Sequence, residues 1–132
     1  MTGKKQEHCF SPSVNLVLYN MAKADAQYCV ILVTADTQTQ AEKIARVLVE
    51  EQLAACCNIV PGIRSVYRWQ NAVQVDEEQL LIIKTTTTRF TEIERRVRAL
   101  HAYDVPEIIM LPVSEGSAPY LAWIDQSLSG HA

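Results

Sequence analysis

The chain is 132 residues long, 48% hydrophobic and 20% charged, with four glycines and five prolines; that is one domain around one core, and it excludes a largely disordered chain. A formal net charge of −3 argues against nucleic acid or an anionic membrane surface as a non-specific partner. No apolar run nears the ~18 residues of a membrane span, and the four cysteines, Cys9, Cys29, Cys56 and Cys57, make no CxxC pair for zinc or redox chemistry.

Reduced, mostly buried thiols in a cytoplasmic protein are therefore expected. Residues 1–26 are the poorly patterned part. Lys4 and Lys5 ahead of VNLVLYNMAKADA imitate a signal peptide, yet Asn15 and Asn20 interrupt the apolar part and Glu7 sits among the basic residues. This stretch is expected to be a flexible or loosely docked leader, dispensable to a single domain spanning 27–129.

The first element is YCVILVTA (28–35), a continuous apolar run rich in β-branched residues, which predicts a strand buried on both faces. DTQTQAEKIARVLVEEQLAACC (36–57) follows. Thr37 with Gln40 fits a capping box, and Ala41, Ile44, Ala45 and Leu48 recur at helical spacing opposite Glu42, Lys43, Arg46 and Glu50. The next stretch, 58–88, reads as two long strands. Pro61-Gly62 should interrupt the first or bulge it, and Gln70-Asn71 stands where a hairpin turn belongs. A second helix is predicted from about Thr88, with Phe90, Ile93, Val97 and Leu100 inward and Arg89, Arg95, Arg96 and Arg98 largely outward. VPEIIMLPV makes a fourth strand, and APYLAWIDQSL (118–128) a short terminal helix.

The order βαββαβ plus a tail predicts an α+β, ferredoxin-like sandwich, an antiparallel sheet with both helices on one face. Residues 79–83 and 107–111 each hold four apolar residues in succession, Leu80 to Ile83 and Ile108 to Leu111, so the second sheet face also wants burial. One chain cannot supply that cover; a homo-oligomer can.

Among side chains with chemistry to offer, His101 and Glu107 are the candidate metal ligands. Imidazole is a common ligand, and a carboxylate heading an apolar strand is costly unless it faces a cleft or a cation. An imidazole with a carboxylate suits a borderline divalent ion such as copper or zinc. The plainer reading of His101 is a histidine that satisfies free carbonyls at a helix end. Tyr67, Trp69, Tyr103 and Trp123 lie near predicted element ends, where rings are usually core or interface anchors. Tyr67 and Trp69 share one strand face, as do Glu78 and Lys84. The latter two charges are expected to meet across subunits, or to line a polar cleft for a metal or a small anion. No phosphate loop, dinucleotide loop, HExxH or GxSxG motif is present. Among the three histidines, His8 and His131 fall in the tails, so His101 is the sole candidate base.

Together, LAACCNIVPGIRSVYRWQ (53–70), Glu78 with LIIKTT (81–86), HAYDVPE (101–107) and YLAW (120–123) resemble the CutA family of divalent-cation tolerance proteins, over about Cys29 to Trp123. The resemblance implies a ferredoxin-like protomer, a tight homotrimer and a role in metal tolerance, with copper among the ions bound. The trimer plan is similar to that of PII signalling proteins. This chain departs from the family pattern with Ala102 where the family shows proline, Asn71 where it shows glycine, and Val33 where it shows a first-strand cysteine regarded as a copper ligand. The expected function is non-enzymatic, with no required cofactor: a homotrimer binding copper, another divalent cation or a small effector between protomers. The alternative is a PII-like sensor, which needs a long mobile loop where this chain has WQNA; a small hydrolase using His101 and Glu107 ranks last.

Overall fold

In β1 (Tyr28–Ala35) burial alternates: Cys29, Ile31, Val33 and Ala35 are closed off while Val30 and Leu32 are only half-buried. The strand is therefore covered on one side by its own chain, and the expected burial on both faces is not met within one protomer. The computed structural model describes residues 27–129. The expected leader 1–26, with His8 and Cys9, and the tail residue His131 lie outside the described residues.

After β1 come α1 (Gln38–Glu50), β2 (Cys56–Trp69), β3 (Ala72–Thr86), a 3-10 turn (Thr87–Arg89), α2 (Phe90–Leu100), β4 (Ile108–Pro112) and α3 (Ala118–Leu128). The strands form one antiparallel sheet in the order β2-β3-β1-β4. That order is the split βαβ plan expected from the sequence, an α+β fold with α1 and α2 on one face. Ala41, Ile44 and Leu48 of α1 and Ile93 and Val97 of α2 close over Ile31, Val33, Leu81 and Ile83, all of them fully buried. Burying each such aliphatic side chain contributes about 1.5–3 kcal/mol. This cluster is the main core.

The Thr37 hydroxyl caps α1 by accepting from the Gln40 N–H at 3.1 Å. The other half of the expected capping box is not made. Gln40 turns its side chain away, donating from Nε2 to the Leu100 carbonyl (3.1 Å) and accepting from the Ala102 N–H at Oε1 (2.8 Å). At the far end, Gln52 takes the left-handed conformation (φ 59°), and the Leu53 N–H returns to the Leu48 carbonyl at 2.9 Å. This is a Schellman-type stop in which glutamine stands where glycine is usual.

Pro61-Gly62 bends β2 without ending it. Pairing passes from Val60–Leu80 to Ile63–Glu78, so two residues of β2 oppose one of β3, and Gly62 supplies the positive φ (72°). The bulge resets the parity so that Ile63, Ser65 and Tyr67 share a face with Glu78 and Asp76. Gln70 and Asn71 both have positive φ (50° and 65°), which makes the β2–β3 connection the two-residue turn favoured by hairpin twist. Before Gln79, residues 72–78 of β3 pair with β2 alone, leaving an arm that exposes Val66, Trp69, Val73 and Val75.

Arg89 departs from its predicted outward placement. Its guanidinium donates to the Gln52 carbonyl (3.1 Å) and the Leu128 carbonyl (2.8 Å), tying the ends of α1 and α3 together. α3 packs Ile124 and Leu128 on Ala55 and Tyr28, and the Tyr28 hydroxyl donates to Asp125 at 2.6 Å. By parity Tyr28 belongs to the sheet face opposite the main core, so α3 covers only the end of that face where β1 begins.

Because Gln52 holds a left-handed conformation that costs a non-glycine residue about 1 kcal/mol, Gln52→Gly should stabilise the chain by several tenths of a kcal/mol to about 1 kcal/mol. The midpoint of urea unfolding, compared at unchanged slope, is the measurement.

Candidate functional site

Residues 100–108 carry the chain from α2 into β4, and His101 fixes their path. It is the C-cap of α2, extended at φ −78° and ψ 145°, and it is buried. Its Nδ1 accepts from the Tyr103 N–H at 3.0 Å, so the ring proton sits on Nε2 and is donated to the Thr34 carbonyl at 2.7 Å. One imidazole thus ties the end of α2 to the end of β1 and curls the turn over itself. Both nitrogens of the ring expected as a candidate metal ligand are thus engaged inside the fold in this arrangement. The same engagement removes the candidate base of a hydrolase.

The His101 and Tyr103 rings pack at 4.7 Å between centroids, and that contact aims the tyrosine hydroxyl at Glu78, to which it donates at 2.7 Å. Burial, the Glu78 hydrogen bond and the charges of Glu78 and Asp36 all hold the Tyr103 hydroxyl well above the ordinary tyrosine range, so it remains a donor. Glu78 precedes Gln79, the partner of Ala35; Asp36 follows Ala35; Glu107 precedes Ile108, the partner of Val33. Three carboxylates, Glu78 within β3, Asp36 just after β1 and Glu107 just before β4, therefore stand where the four-stranded part of the sheet gives way to the arm. Burial, with the charge of Glu78 added, raises the Glu107 carboxyl above its usual range. Proximity of like charges in a half-desolvated place disfavours ionisation. On the arm, the Tyr67 hydroxyl donates to Asp76, and that hydrogen bond, with some burial, raises the tyrosine as well.

Not every candidate joins this cluster. Lys84 shares a face with Glu78 but lies six positions along β3, about 20 Å at strand rise. Its ammonium donates to Asn58, so the two charges do not meet within one chain. Trp69 is 60% exposed on the arm, and Trp123 is 42% exposed on α3, beside Tyr120 at 5.5 Å between ring centroids. Neither ring is in the core of this chain, which leaves the expected place at an interface or cleft for both. Val33 points into the closed core. Cys29 is on the same side of β1, where burial pushes its thiol up to about 11, and burial with neighbouring Cys56 pushes Cys57 up to about 12. None of these is a ready thiolate ligand. Sequence reading missed Asp36 and Gln40; the first shows only through strand register and the second only through tertiary contact.

Among the described residues no three His, Cys, Asp or Glu side chains converge to hold a metal ion. The donors offered are carboxylate oxygens of Glu78 and Glu107 beside a neutral phenol. Copper favours imidazole and thiolate, which this cluster withholds, whereas oxygen donors fit divalent ions more broadly.

The family described as CutA1 divalent ion tolerance protein matches residues 29–127. A Thermus thermophilus relative, "Divalent-cation tolerance protein CutA", is 52% identical over 98 residues, covering 74% of this chain and 95% of its own length. "Protein CutA, chloroplastic" of Arabidopsis thaliana is 49% identical across 74% of this chain and 54% of that protein, so the match spans about half of the plant relative. Among solved structures, CutA1 from Oryza sativa superposes with a TM-score of 0.76 at 44% identity, over 77% of this chain and 94% of the other. The Thermus thermophilus structure gives 0.72 at 52% identity, over 74% and 94%.

His101→Ala should cost about 1–3 kcal/mol, because it strands the buried Thr34 carbonyl and frees the turn; thermal and urea unfolding read this directly. Glu107 makes a prediction in pH. A carboxyl raised by folding contributes stability that is complete below its ordinary value of 4.5 and is lost as pH rises through the raised value. The stability difference between wild type and Glu107→Gln, followed by unfolding across that acid range, should shift toward the variant as pH rises.

Proposed function

This chain belongs to the CutA1 divalent ion tolerance family, and on that footing we propose that it acts without catalysis, as a homotrimer that answers to divalent metal ions and binds copper or another divalent cation between protomers. The family and its curated relatives are named for tolerance of divalent ions rather than for a reaction. The observation that carries the trimer is the second sheet face. Val30, Leu32, Leu80 and Ile82 are half-buried there, and Ile109 and Leu111 are 48% and 46% exposed. A contiguous apolar face of this kind marks an interaction surface, and a second and third copy offer the same face in return. The arm points the same way, since a two-stranded hairpin is marginal without a packing partner.

The carboxylate end of that face is where a cation is best received. Glu78 and Glu107 repel each other until a cation or a neighbouring subunit's donor comes between them, and Tyr103 holds Glu78 in place. One chain offers too few donors, so the remaining ligands come from an adjoining protomer and binding is weak in any lone subunit. A sensor of the PII kind is not favoured, because the β2–β3 connection is the turn at Gln70 and Asn71.

Calorimetric titration with copper, and separately with manganese as an ion for oxygen donors, tests this reading. Glu107→Gln should weaken binding about tenfold, the loss of a charge-assisted ligand, with the trimer intact by analytical ultracentrifugation. A monomer at micromolar concentration would end the trimer; unchanged binding would end the site.

A further inference from the structure

The turn that presents Tyr103 is held from α1 as well as from His101, and the holding group is Gln40. Its amide has one orientation that satisfies both partners: Oε1 takes the Ala102 N–H at 2.8 Å and Nε2 gives to the Leu100 carbonyl at 3.1 Å. These two backbone groups flank His101, whose ring then sets Tyr103 by the Nδ1 hydrogen bond and the ring contact. The chain of contacts is continuous from the N-terminal turn of α1 to the Glu78 carboxylate. We propose that Gln40 is a positioning residue for the Glu78–Tyr103 site, and that its side-chain amide gives the turn at Ala102 the rigidity that a proline at that position would give through its ring. This rests on reading Glu78 and Tyr103 as part of the site, but not on any metal being bound.

The backbone supports the equivalence. A residue before proline must be extended, and His101 already stands at φ −78°, ψ 145°. Proline has no N–H, so it would release the Gln40 oxygen, and that group is exposed to solvent and loses little by it. Alanine leaves φ free and supplies a donor. A donor at 102 and an amide at 40 are thus two parts of one device. The Leu100 carbonyl is one of the free acceptors at the end of α2, so the second bond also finishes that helix.

The test uses Gln40→Leu, Ala102→Pro and the double variant in the full chain, without metal, and follows by NMR the hydrogen exchange of the Tyr103 N–H that His101 Nδ1 accepts. Gln40→Leu should speed that exchange roughly threefold to tenfold, as one or two neutral hydrogen bonds are worth, and Ala102→Pro in the same chain should slow it again. Manganese affinity should follow, falling by a similar factor in the single variant and recovering in the double. Unchanged exchange at Tyr103 in folded Gln40→Leu overturns the proposal, as does a change that Ala102→Pro fails to reverse. Should Gln40→Leu fail to fold, recovery of folding in the double supports the proposal, and failure of both overturns it. Since the tyrosine readout contains no metal, loss of manganese binding in every chain would count against the proposed function alone.

Discussion

The central strands β1 and β3 are apolar on both faces, while α1 and α2 can cover only one, and the rest of the molecule is arranged around that inequality. Side chains of a strand alternate between faces, so every residue that goes under α1 and α2 sends its neighbours the other way. Ile31, Val33, Leu81 and Ile83 take the covered side, and Val30, Leu32, Leu80 and Ile82 take the other. A one-residue slip of β1 against β3 would turn the inward set of β1 outward and move polar Thr34 under the helices. The pairing register is therefore set by the core, and the open face is its by-product. The proposed homotrimer uses what the core leaves over.

The end of that face owes its chemistry to the turn after α2. A buried imidazole is usually explained by what it satisfies, and His101 satisfies one carbonyl of β1 and one N–H of its own turn. Such a side chain is a strut. Its effect reaches the surface through Tyr103, whose hydroxyl holds Glu78 while Glu107 and Asp36 stand nearby. The balance at this spot is electrostatic, since several carboxylates share a corner with no ion pair to a cation among the described residues. Arg96, which pairs with Glu51 at 2.6 Å, and Arg95, which pairs with Glu92, are occupied on the helix side. Lys84 is spent on Asn58 at the far end of β3.

The described thiols lie away from this corner, with Cys29, Cys56 and Cys57 paired to Thr85, Lys84 and Ile83 far along β3. Cys29 and Cys57 are held protonated by burial, and Val33 occupies the place of the first-strand cysteine that the resemblance regards as a copper ligand. An ion held at this corner, as proposed, would be met by oxygen donors, and these suit divalent cations broadly rather than copper alone.

Most of the fold was legible in the residues. Period-3.6 and β-branched runs located α1, α2, α3 and the four strands, Asn71 marked the hairpin, and Pro61-Gly62 marked the bulge, because each signal depends on neighbours in the chain. The apolar pairs in residues 79–83 and 107–111 likewise announced a second face in need of cover. The site was legible only as a composition: His101, Tyr103, Glu107 and Glu78 were recognisable as chemically capable, but their roles were not. Whether an imidazole is a ligand or a strut depends on which carbonyl lies within hydrogen-bond reach, and Thr34 is 67 residues away along the chain. Gln40 looked like half of a capping box and instead bridges to residues 60 and 62 positions on. The outward arginine pattern of α2 failed at Arg89 for the same reason, since its two carbonyl partners belong to other elements. Periodicity is a local property and survives without the fold; partnership between distant polar groups exists only once the core has brought them together.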